Sequence, residues 1–126
     1  MRRLFLAAAA SLAMSAGAWA QSPPHGHGDR GPHGGTMQDM VGIHAELILS
    51  ERTITVHLYE EGNTAVPAAG YTGSALIGSG QSRQVVQLTP GSDNTLVGTA
   101  QAALPRGTQV TLQLRNPTGR SGQARF

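Results

Sequence analysis

The apolar and polar residues of this chain alternate in a way that predicts an all-β protein: a small antiparallel β-sandwich of immunoglobulin-like architecture, with about seven strands, behind a flexible N-terminal arm. Three observations lead there. Apolar residues recur at every second position in several separate runs, the runs are divided by turn-forming residues, and no window carries a sustained helical period. An open barrel is the alternative closure of the same strands.

The alternation begins at Val41, with Ile43, Ala45, Leu47 and Leu49 on the same face and Gly42, His44, Glu46, Ile48 and Ser50 on the other. In the next run Ile54, Val56 and Leu58 alternate with Thr53, Thr55, His57 and Tyr59, so the two runs predict a hairpin that turns through a two-residue loop at Glu51-Arg52 or a four-residue loop over Ser50 to Thr53. Opposed residues then have numbers summing to 103, which joins Leu47 to Val56 and Leu49 to Ile54 across the apolar face. Further strands are expected at 71–78, 83–89, 95–100, 108–115 and 121–126, where Val86, Leu88, Val110, Leu112 and Leu114 supply an aliphatic core. Between them lie Gly78-Ser79-Gly80-Gln81, Pro90-Gly91-Ser92-Asp93-Asn94, Pro105-Arg106-Gly107 and Asn116-Pro117-Thr118-Gly119, each rich in turn chemistry.

Before Val41 the composition is different. Arg2 and Arg3, an apolar stretch from Leu4 to Ala16, and Ala18-Trp19-Ala20 before Gln21 read as a cleaved export signal over 1–20, too short an apolar run for a membrane anchor. The Arg pair leaves both the general and the twin-arginine export routes open. Residues 21–40 (QSPPHGHGDRGPHGGTMQDM) offer little to bury and are expected to form a flexible arm, with the sandwich domain at 41–126.

Removing 20 residues from the 126 leaves a chain of 106 with seven arginines, seven acids and no lysine, formally neutral. With only Tyr59, Tyr71 and Phe126 as aromatics, it has neither the charge nor the stacking surface for nucleic acid. The charge is uneven: residues 21–63 hold six acids and two arginines, and residues 64–126 hold one acid and five arginines. All five histidines fall in the acidic half. No cysteine is present, so any metal must use nitrogen, oxygen or thioether sulfur. No nucleophile-elbow, phosphate-loop or dinucleotide pattern occurs, and the expectation is a non-catalytic protein.

The candidate metal ligands form three groups. His25, His27 and His33 lie on the glycine-rich arm, where imidazole suits copper, zinc or nickel and Asp29 could add an oxygen. Met37 and Met40 supply thioethers that favour Cu(I), or else cover an apolar edge. On the hairpin the register sets Glu46 opposite His57 and His44 opposite Tyr59, so that His44, Glu46 and His57 could converge on one ion. The other outcome of that register is a cross-strand Glu46–His57 pair on a solvated face.

His33-Gly34-Gly35, then Gly42-Ile43-His44-Ala45-Glu46-Leu47, then Val56-His57-Leu58-Tyr59 resembles a pattern in small periplasmic proteins associated with heavy-metal handling. It is similar also to a His-Gly-Gly-containing segment of the periplasmic adaptor subunits of heavy-metal efflux pumps of the resistance-nodulation-division type. In those proteins the turn after the second strand leads to a Pro-containing stretch, here Val66-Pro67, and the likeness runs from Pro32 to about Gly73. The resemblance implies a β-rich periplasmic module linked to metal resistance, with His33, His44 and Glu46 at the motif positions. The helical hairpin, lipoyl-like and barrel parts of a complete adaptor are lacking, which leaves a stand-alone carrier, sensor or buffer.

The expectation is therefore an exported metal-binding protein, copper first and zinc, nickel or cobalt after it, that buffers metal or delivers it to an efflux complex. A structural or interaction module docking another envelope protein is the alternative.

Overall fold

The computed structural model describes residues 30–78 and 80–126. These residues form nine strands: β1 (Thr36–Met40), β2 (Ile43–Ser50), β3 (Thr53–Glu60), β4 (Thr64–Ala65), β5 (Thr72–Ile77), β6 (Gln84–Pro90), β7 (Thr95–Thr99), β8 (Val110–Arg115) and β9 (Ser121–Arg125). Short 3-10 turns at Glu61–Asn63 and Gly80–Ser82 are the only helical pieces among the described residues, and no helix there is long and apolar enough to cross a membrane. The signal segment and the histidines His25 and His27 lie outside the described residues.

All pairings are antiparallel, in the order β1-β2-β3-β7-β6-β5-β8-β9, with β4 added beside the end of β3. The path falls into two halves because β6 and β7 share only the pairs Thr89–Val97 and Pro90–Leu96. The two ends then approach one another. A Cβ on Gly122 of β9 would stand 3.0 Å from Val41 Cγ2 and 3.2 Å from Val41 N, so β9 runs close against the turn after β1 and any larger residue there would push the two apart by a few tenths of an ångström. The result is a sandwich-like sheet nearly closed into a barrel.

The alternation read from the sequence fills the interior. Ala45, Leu47, Ile54, Val56, Leu58, Val86, Leu88, Leu96, Val110, Leu112 and Leu114 are buried in one cluster, each large side chain contributing about 1.5–3 kcal/mol of transfer free energy. The hairpin register is the expected one: Glu46 opposes His57, Leu47 opposes Val56, and His44 opposes Tyr59.

The folded body starts earlier than Val41. Residues 36–40, placed in the arm by composition, form β1, with Met37 opposite Glu46, Asp39 opposite His44 and Met40 opposite Ile43. Two methionines among polar residues gave no alternation to read, yet Met40 is buried in the core and the strand is held by a full ladder to β2. Val41 and Gly42 join the strands in a two-residue turn with positive φ at both positions (49° and 79°), the twist that favours tight hairpins.

Candidate functional site

Segment 30–36 folds back over the outward face of β2. Gly31, Pro32, His33 and Gly34 make a β-turn in which Gly34 N–H donates to Gly31 O at 2.9 Å, with proline at the second position, where its fixed φ is preorganised. Gly31 N–H donates to Gly35 O at 2.9 Å, and Arg30 bridges Thr36 at the base of the loop. The turn lies directly on a carboxylate. A Cβ on Gly31 would fall 2.2 Å from Glu46 Cδ, and one on Gly35 would fall 2.4 Å from Leu47 O, so both positions must be glycine for the loop to dock.

Glu46 points away from the core and is nevertheless 0% exposed. Its Oε2 accepts the backbone N–H groups of His33 and Gly35, each at 2.9 Å, and its Oε1 stands 3.0 Å from His33 Nδ1. Burial raises the proton affinity of this carboxyl, but the hydrogen bonds from Gly35 and His33 and the nearby imidazole outweigh it, so its pKa lies below the ordinary value. An ionised carboxylate can only accept, so Nδ1 of His33 carries the proton, which it shares with Tyr59 Oη at 2.9 Å. In the neutral ring the lone pair is then on Nε2. That nitrogen has no partner among the described residues, and half of the side chain is open to solvent.

The His33 ring lies flat on His57, with centroids 3.8 Å apart and planes 11° from parallel. His57 Nδ1 is buried and has no hydrogen-bond partner among the described residues. Burial first, and then the charge of His33, lower the His57 pKa, with Glu46 acting the other way. Tyr59 is buried beneath the same loop, and its phenol is pushed above its ordinary range by burial and the Glu46 carboxylate against an opposing interaction with Asn94.

The face is thus not the solvated one that the cross-strand pairing suggested, because the loop covers it. Glu46 bonds to His33 rather than to the His57 opposite it. His44 does not join them: its Nδ1 bonds to the Asp39 carboxylate across the β1–β2 pair. Among the described residues no three His, Asp or Glu side chains are grouped to hold one ion. A ring nitrogen's lone pair lies in the plane of its ring, and two nearly parallel planes 3.8 Å apart cannot both contain the same ion. Met37 is half-buried on the site's face and Met40 packs inside. Neither Tyr59 nor Asp39 is among the ligands that the sequence offers; the period-2 pattern sets Tyr59 on the same face as His57, and only β1 brings Asp39 to His44.

Comparison of the chain with protein-family models, with curated proteins and with solved structures finds no match.

Proposed function

We propose that this is an exported, non-catalytic metal-binding protein in which His33 offers Nε2 as a ligand nitrogen and Glu46 acts behind it as the orienting carboxylate. The observation that carries the reading is the 3.0 Å contact between a wholly buried carboxylate and His33 Nδ1, which directs the other ring nitrogen outward. Metal-ligating histidines commonly donate their second ring N–H to such a carboxylate, which fixes the tautomer and raises ligand basicity. Met37, opposite Glu46, is the further donor on this face, while His57, kept neutral by burial, stacks beneath the His33 ring and lies outside the ligand set. Copper is the first candidate ion, since imidazole and thioether occur together without thiol; zinc, nickel and cobalt follow. Buffering of periplasmic metal, or its delivery to an efflux system, is the role proposed.

Calorimetric titration of the chelator-treated chain with Cu(II), Zn(II) and Ni(II) tests this. His33→Ala should weaken binding at least tenfold, and Glu46→Gln should weaken it by about 10–100-fold. Absence of saturable binding, or an unchanged affinity in His33→Ala, would overturn it. The stacked rings favour the second reading, an interaction module in which the carboxylate only pins the loop; that reading expects no saturable metal binding at all.

A further inference from the structure

On the opposite half of the molecule, the outward face of β6, β5, β8 and β9 carries a cleft of about 530 Å³. The strand register lines up Gln87, Ser74, Gln113 and Gln123 in one row across these four strands. A second row, Thr72, Arg115 and Ser121, runs beside it. Three strand spacings of about 4.8 Å make the first row ~14 Å long.

The chemistry of the lining is narrow. Apart from Gly73, Gly122 and the buried Leu114, every side chain lining the cleft offers an amide, a hydroxyl or, in Arg115, a guanidinium, with no carboxylate and no aromatic ring. Gln113 Nε2 donates to Gln123 Oε1 at 3.1 Å, which leaves the Gln113 carbonyl as an acceptor and the Gln123 amino group as a donor on two exposed side chains. The side chains of Ser74, Gln87 and Arg115 have no polar partner among the described residues. A metal cation finds no anionic ligand here, a flat apolar ligand finds no ring to stack on, and a peptide strand would add to a sheet edge rather than lie on a face. Groups that both donate and accept, repeated at strand spacing, match the hydroxyls of successive sugar rings. Arg115 matches a carboxylate, in the half of the chain where five arginines face one acid.

We propose that this cleft binds an acidic oligosaccharide of two or three rings, its hydroxyls on the Gln87–Ser74–Gln113–Gln123 row and a carboxylate on Arg115. The site is separate from His33 and does not depend on the metal reading.

The test is an amide NMR titration of the full chain, chelator-treated, with trigalacturonate, and in parallel with cellotriose and with inorganic phosphate. Saturable shifts confined to the two rows are expected, with cellotriose at least tenfold weaker. Gln113→Ala should abolish saturation at the same concentrations, and Arg115→Gln should bring trigalacturonate down to the cellotriose affinity. Neither side chain is part of the core, so an unchanged thermal midpoint will show that both variants fold. The proposal is overturned if trigalacturonate gives no saturable shift, if phosphate binds as tightly as the trisaccharide, or if folded Arg115→Gln binds trigalacturonate as the parent does.

Discussion

Replacing Glu46 with glutamine keeps the volume of the side chain and removes its charge, which isolates what the carboxylate does for the loop at 31–35. The charged form accepts three bonds, from His33 N, Gly35 N and His33 Nδ1. Hydrogen bonds to charged groups are worth about 1.5–3 kcal/mol against ~0.5–1.5 for neutral ones, so the substitution forfeits about 1 kcal/mol at each bond. It also relieves the cost of holding a charge at a position with 0% exposure, which returns part of that loss. A net loss of about 1.5 kcal/mol is expected, or ~6–12 °C in the unfolding midpoint of a body this size. A second consequence is sharper. If the glutamine oxygen keeps the two backbone donors, its amino group must face His33 Nδ1, which then has to accept, so the neutral His33 ring passes from the Nδ1–H to the Nε2–H tautomer. Circular dichroism at pH 7.5 with chelator present reads the midpoint, and long-range nitrogen–proton NMR correlations of the ring read the tautomer. A midpoint shifted by less than ~1 °C, or a His33 ring that stays Nδ1–H in the variant, would refute the account of the carboxylate as the loop's anchor.

The metal-free protein should lose stability in two stages on acidification. A folded pKa below 6.5 for His57 means that the unfolded chain binds the extra proton first, so stability present above pH 6.5 drains away as pH falls below it; the lowered Glu46 pKa adds a second loss below pH 4.5. Urea midpoints between pH 8 and 5 should therefore fall in the parent and stay flatter in His57→Asn, and equal slopes would contradict the assignment. Gly31→Ala should cost about 1–3 kcal/mol, because its Cβ would enter the Glu46 carboxyl; amide spectra should show the loop at 31–35 released while the β2–β3 hairpin persists. The proposed export with cleavage after Ala20 expects intact-mass measurement on the envelope fraction to find Gln21 at the N-terminus, and a mature species retaining Met1 to Ala20 would contradict it.

Strands whose two faces differ in polarity are legible in the amino-acid order alone. The hairpin from Ile43 to Glu60 could be read to the residue, because a slip of one position would turn Leu47, Val56 and their neighbours out to solvent. The pairing of Glu46 with His57 came with it, since both sit on the other face of the same register. Features that depend on long-range closure of the sheet leave no such local trace. β1 has a polar sequence and is a strand because β2 offers it a free edge and the core takes Met40. Pro32-His33-Gly34-Gly35 carries turn chemistry that local reasoning can recognise, but where that turn lands depends on β1 running antiparallel to β2 and delivering it onto Glu46. It therefore took the assembled fold to make an outward-facing glutamate wholly buried and bonded to His33, and to turn His44 to Asp39. Periodicity records which side of a strand a residue takes; whether that side is then covered depends on which distant segment crosses it.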